Sequence, residues 1–339
     1  MIEVLTRPFV EELPGGGRRP RALWRILAQY VIFFAITALL LVPATLLIFA
    51  ASGLQGSALQ AAGSGGAMLA SSAASLLAAL ATLWLAGRFL DRRRFADFGL
   101  RLDAGWWLDL GFGLALGAVL MAAIFVVQIG MGWVSVTGAL ESGSGAPFWI
   151  SILTPVVLFL CVGIYEELIF RGYQIKNISE GLGGLIGPRA AILAAWLLTS
   201  SMFAVAHIPN PNSTLVSTTN IALAGLMLGA GYALTGKLAV PIGLHITWNL
   251  FQSSVFGFPV SGIDASRATF LEVQQSGPEA WTGGEFGPEA GLLTVFATVL
   301  GVVLIWLWSK LRGEGAGLHL PLAEPPARSA DKTSVNTAQ

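Results

Sequence analysis

Along most of the chain the apolar residues neither alternate nor keep to one helical face. They run together in stretches of about 20, the length at which a helix rising 1.5 Å per residue crosses a bilayer's hydrocarbon. Runs of this kind occupy 26–50, 68–90, 107–130, 148–172, 190–207, 218–236, 238–257 and 291–309. Polar segments with glycine and proline separate them, so the pattern predicts an all-α, polytopic membrane protein of about eight transmembrane helices. The first run follows basic residues and precedes small ones near Ala50-Ala51, as a secretory signal does. It is too long for a signal's apolar region and more runs follow, so it is read as a helix.

Composition points the same way. The 339 residues are 55% hydrophobic and 11% charged, where soluble proteins carry about 25% charged residues. A mean hydropathy of +0.72 is more apolar surface than one water-soluble core hides. The 19 basic and 19 acidic residues balance, which gives no argument for a nucleic-acid partner. Cys161 is the single cysteine, so an intrachain disulfide and a cysteine-rich metal site are excluded.

The charges are unevenly placed. Arg7, Arg18, Arg19, Arg21 and Arg25 precede the first run, and the loop at 51–67 has none. Arg88, Arg92, Arg93, Arg94 and Arg101 follow the second run, and the next loop has only Glu141. Arg171, Lys176 and Arg189, then Lys237, then Lys310 and Arg312 continue the alternation, while 258–290 carries five acids against Arg267. Positively charged loops stay cytoplasmic, which puts both termini in the cytoplasm; the cell (inner) membrane is the expected location. Residues 1–20, 258–290 and 313–339 read as poorly structured. Gly113-x3-Gly117 and Gly225-x3-Gly229 read as close helix packing.

An ionisable side chain inside the bilayer costs roughly 2.5–3.5 kcal/mol on insertion scales and so needs a reason. Such residues gather between 163 and 250: Glu166, Glu167 and Arg171, then His207 four after Phe203, then His245 and Asn249. Residues four apart share a helix face. Glu167 and Arg171 are thus natural ion-pair partners, Glu166 points elsewhere and is left free for chemistry, and His245 and Asn249 face one cavity together. That pair suits either donors to a developing oxyanion or a metal ligand set. A single histidine in an apolar helix is more often a packing residue, and a Glu-Glu-x3-Arg near a helix end can be a solvated boundary. Together the groups favour a site. His319, in the polar tail, carries no expected role.

Glu-Glu-x3-Arg at 166–171, Phe-x3-His at 203–207 and His-x3-Asn at 245–249, in this order on hydrophobic helices, resemble the three motifs of the CPBP family. That family takes in type II CAAX prenyl endopeptidases, the Ras-converting group among them, and the Abi-like bacteriocin-processing or immunity proteins. The resemblance covers 148–257. It implies an intramembrane endopeptidase, often described as a metalloprotease, in which Glu166 activates water, Glu167 and Arg171 support it with Phe203 beside them, and His207, His245 and Asn249 complete the site. Zinc held by Glu166, His207 and His245 and a metal-free mechanism are both compatible with it. The implied partners are membrane lipid and a peptide or lipidated protein. On this reading 1–25 is a cytoplasmic tail, 26–147 holds accessory helices 1–3, 148–257 the catalytic helices 4–7, 258–290 an external loop, 291–312 the last helix and 313–339 the second cytoplasmic tail. A non-enzymatic scaffold or immunity protein is the alternative, and a transporter the third, which lacks paired halves in its favour. Substrate identity and oligomeric state are not written in these residues.

Overall fold

The computed structural model describes residues 10–13, 17–51, 65–143, 146–264, 268–313, 315 and 317–326. Arg7, Gly15, Gly16, residues 52–64, Arg267 and 327–339 lie outside them. Among the described residues each apolar run is a helix: α1 (Ala22–Ala51), α2 (Gly65–Leu85), α3 (Ala104–Gly130), α4 (Phe148–Ile186), α5 (Pro188–Ala206), α6 (Leu215–Thr235), α7 (Ala239–Leu250) and α8 (Leu292–Leu311). The protein is a polytopic helical membrane protein. Seven of these helices are long and apolar enough to cross a membrane. The exception is α7, with 12 α-helical residues continued by a five-residue π turn, Phe251–Val255. It is buried from Ala239 to Asn249, packed among α3, α4 and α6. Its apolar side chains face other helices, whereas most of the apolar stretch of α1 is unburied.

Local chemistry sets the helix ends. Asp103 caps α3 by accepting from the Trp106 amide, Thr214 and Ser217 form a capping box at α6, and Gly236 closes α6 in the left-handed region at φ 67. The small residues of α3 let it approach α7 closely: a side chain at Gly113 or Gly117 would meet the Val240 or Leu244 carbonyl. On α6, Gly225 and Gly229 rest against Ser200 and the Trp196 indole of α5.

Several segments differ from the sequence reading. The fourth helix does not stop near 172 but runs to Ile186 through a π turn, Leu168–Ile175. The polar residues Lys176, Asn177, Ser179 and Glu180 resemble a loop in sequence, yet they are buried or paired at the helix end. Glu180 accepts from Arg25 (3.1 Å) and Arg93 (2.5 Å) and also pairs with Arg19. Arg25 further donates to Asp91 at 2.8 Å and to Glu11 at 3.3 Å. Such buried charges are tolerable only when paired. Residues expected to be unstructured supply part of that network: β1 (Val10–Glu12) pairs antiparallel with β2 (Arg18–Pro20). The segment expected to be an external loop also carries regular structure, because β3 (Val134–Ser142) pairs antiparallel with β4 (Ala268–Gln275), from Val134 opposite Gln275 to Ser142 opposite Ala268. At the other terminus the His319 amide donates to the Ala233 carbonyl at 2.8 Å, and Lys176 to that of Pro321 at 2.5 Å. Both described chain ends therefore meet the same end of the bundle, here the tail end. The β3–β4 pair is at the opposite end.

Candidate active site

The site is built where α4 meets α7. Gly163 lies against the backbone of Ile246, where an added Cβ would stand 3.0 Å from the Ile246 nitrogen. The missing side chain brings Glu166 and Glu167, one turn on, alongside His245. Each helix then leaves regular α geometry, α4 as the π turn beginning at Leu168 and α7 as the one beginning at Phe251. Turns of this kind often mark functional sites, because the extra residue redirects the side chains around it.

Arg171 donates from Nη1 to Glu167 Oε1 at 2.7 Å, the partnership their spacing predicts. Both side chains are buried, at 1% and 0% exposure. The guanidinium also reaches the Gly225 carbonyl at 3.3 Å and stands 4.4 Å from the centre of the Phe203 ring. The same Glu167 oxygen accepts from His245 Nδ1 at 2.8 Å. A carboxylate beside an arginine can only accept, so the proton of that bond is on Nδ1 and the ring is held with Nε2 on its far side. His245 Nε2 is 3.7 Å from Glu166 Oε2. Glu166 Oε1 accepts from the Tyr165 hydroxyl at 3.0 Å, whereas Oε2 is buried with no hydrogen-bond partner among the described residues. Two atoms 3.7 Å apart can share a third oxygen within hydrogen-bond distance of both.

His207 caps the end of α5, and its Nδ1 is 2.7 Å from the Phe203 carbonyl, to which it donates. Phe203 lies beside both imidazoles, with ring centres 4.6 Å from His207 and 6.0 Å from His245. Asn249, one turn beyond His245, is buried on the same wall. Glu166, Phe203, His207, His245 and Asn249 all line one cavity of about 770 Å³. Glu167 and Arg171 stand behind that wall and position His245. Because α4 continues to Ile186, Glu166 lies near its middle rather than close to an end.

The cavity walls are mainly apolar. Phe34 of α1 and Leu198 and Val205 of α5 line it yet are 62%, 49% and 60% exposed on the outside of the bundle. The cavity therefore opens sideways, between α1 and α5, at the surface that faces lipid. Two lining groups escape a reading of motifs. Tyr165 could have been noticed as the polar neighbour of Glu166. Glu289 reads as one more acid of a solvated loop, but it is buried and accepts from the Ser261 hydroxyl at 3.0 Å and from its amide. Asn210 in turn donates to the Ser261 carbonyl at 3.0 Å. As for a metal, among the described residues no three of His, Cys, Asp and Glu are grouped to hold an ion. Glu166 and His245 are adjacent, but with His207 they do not form a three-donor cluster.

Residues 147–251 match the family model described as Type II CAAX prenyl endopeptidase Rce1-like. No curated protein and no solved structure matches the chain. The matched stretch begins with α4 and ends at the first residue of the π turn after α7, so it contains the glutamate pair, both membrane histidines and the asparagine. The seven helices long and apolar enough to cross a membrane make the chain an integral membrane protein, and over residues 147–251 it is similar to Rce1-like type II CAAX prenyl endopeptidases.

Proposed function

We propose that this protein hydrolyses a peptide bond inside the membrane, with Glu166 as the general base. The observation that carries the reading is the buried, unpartnered Oε2 of Glu166, 3.7 Å from an imidazole nitrogen whose ring Glu167 holds in place. A water between them loses a proton to Glu166 as its oxygen adds to the substrate carbonyl. The carbonyl oxygen becomes an oxyanion to which the Asn249 amide donates, and the cavity-facing Nε2 of His207 or His245 donates there only as an imidazolium, because each ring already carries a proton on Nδ1. Collapse of the tetrahedral intermediate breaks the C–N bond, and Glu166 returns its proton to the departing amine. The products are a carboxylate and an amine, with no other reactant consumed. General-base catalysis contributes about 10²–10⁴-fold and each oxyanion donor about 10²–10³-fold in hydrolases. Among the described residues the His, Asp and Glu donors do not gather around a metal ion, and Glu166 with water supplies the chemistry.

The substrate enters from the bilayer. An apolar cavity with a lateral opening accepts a lipid-modified C-terminal segment or a membrane-embedded peptide, whose greasy part stays in hydrocarbon while the scissile bond reaches Glu166. The test uses purified protein in detergent or liposomes with a farnesylated C-terminal peptide and its unmodified twin. Cleavage should require the lipid and drop at least 100-fold in Glu166→Gln and His245→Ala, with thermal unfolding of Glu166→Gln unchanged. Full activity in both variants rejects the assignment.

A further inference from the structure

The arginines at the tail end of the bundle fall into two groups. Arg19, Arg25 and Arg93 are paired with Glu11, Asp91 and Glu180. Arg88, Arg92 and Arg94 are exposed, and none has a carboxylate partner among the described residues. They come from the π turn Ala86–Asp91 that ends α2 and from the loop after it, where Arg92 stands in the left-handed region at φ 56. A non-glycine residue is uncommon there.

These three side chains line a cavity of about 1470 Å³, with Lys176 of α4, Lys237 of the α6–α7 turn and the segment after His319 on its other walls. Of its acids, Asp97 accepts from the Arg94 amide and Asp103 from the Trp106 amide, which leaves Glu324 as the third. Cations therefore outnumber acids on the wall. At its edge Trp84 and Phe89 are 57% and 64% exposed on α2, ring to ring at 6.1 Å. Exposed aromatics at the end of a span mark the headgroup level of the bilayer. A cytoplasmic loop obeying the positive-inside rule needs only basic residues in water. Here segments far apart in sequence fold their cations around one concavity at the lipid surface.

We propose that this cavity is a binding site for an anionic phospholipid, its phosphate held by Arg88, Arg92 and Arg94 and its acyl chains lying along Trp84 and Phe89. Guanidinium groups suit phosphate because they donate two parallel hydrogen bonds. Basic pockets beside membrane helices recognise anionic headgroups on this physical basis. The site is separate from the Glu166 cavity, so it stands whether or not the peptidase reading does.

The experiment is native mass spectrometry of the full chain released from neutral detergent after incubation with phosphatidylglycerol or phosphatidylcholine. The wild type should retain phosphatidylglycerol in preference. The triple variant R88Q/R92Q/R94Q should retain about tenfold less or lower still, given what each basic residue contributes at a membrane surface, and the control Arg189→Gln should match the wild type. Among the described residues the three arginines have no carboxylate partner, so thermal unfolding in neutral detergent should be unchanged. If the triple variant nevertheless unfolds early, Arg88→Gln and Arg92→Gln singly should each lower retention a few-fold. Equal retention by wild type and variants, or equal retention of phosphatidylcholine, overturns the proposal. Displacement of the lipid by an equal concentration of inorganic phosphate also overturns it, since the site would then serve a soluble anion.

Discussion

Replacing Glu167 by glutamine removes one charge from a fully buried trio while keeping its shape. Arg171 donates to Glu167 at 2.7 Å, so the charge centres are about 4 Å apart, an attraction of about 4 kcal/mol at an effective dielectric of 20. In Glu167→Gln the guanidinium loses its counter-charge and keeps neutral partners, the glutamine and Gly225 carbonyls and the face of Phe203, the last worth about 0.5–2 kcal/mol. An isolated buried charge left this way costs about 3–5 kcal/mol. Arg171→Met should cost a similar amount by stranding Glu167, which then has the His245 N–H alone. The double variant Glu167→Gln/Arg171→Met has no stranded charge and should lose only about 1–2 kcal/mol, chiefly the charge-assisted bond to His245. Equilibrium unfolding of the four proteins in mixed micelles measures this as a double-mutant cycle. The expected coupling is about 3 kcal/mol or more. Single-variant losses that add to the double-variant loss within about 0.5 kcal/mol refute the argument that the pair is a desolvated unit.

Gly163→Val should push α4 away from Ile246, costing about 1–3 kcal/mol by overpacking and lowering peptidase activity even though residue 163 touches no substrate; wild-type stability and rate would contradict the close approach. Purified protein should contain well under one zinc per chain and keep its activity in EDTA, as elemental analysis beside the assay would show; stoichiometric zinc lost together with activity would reverse this. Burial pushes the Glu289 carboxyl above the ordinary glutamate value, against the Ser261 amide that favours its anion. The folded protein then binds this proton more tightly than the unfolded chain, so the stabilisation is complete below the unfolded value and fades as pH rises through the folded one. Thermal unfolding between pH 5 and 8 should accordingly show a shallower decline in Glu289→Gln than in wild type.

Much of the site was legible because membrane burial makes polar residues conspicuous. Glu166, His207, His245 and Asn249 stand out from apolar neighbours that carry no charge, and spacing on a helix already pairs Glu167 with Arg171. Tyr165 and Glu289 were not legible. A tyrosine in an apolar run and an acid in a loop are ordinary in sequence, and only the fold brings one to Glu166 and the other under Ser261. The end of α4 was misread for a related reason. Lys176 and Glu180 signal water when taken alone, but Arg19, Arg25 and Arg93 neutralise Glu180 from segments about 90 to 160 residues away. The β3–β4 pairing joins strands separated by more than a hundred residues, which no local pattern encodes.

The sequence by itself determined that the chain crosses a membrane, where its helices fall and which few side chains could do chemistry. Each follows from a local cost, that of placing polar groups in hydrocarbon, which every residue incurs regardless of its distant neighbours. Only the tertiary structure decided that α7 is an interior helix, that His245 turns its Nε2 toward Glu166, and that the cavity opens sideways between α1 and α5. Those outcomes rest on contacts between helices, and contacts are set by how close two backbones can come, as at Gly163 and Ile246.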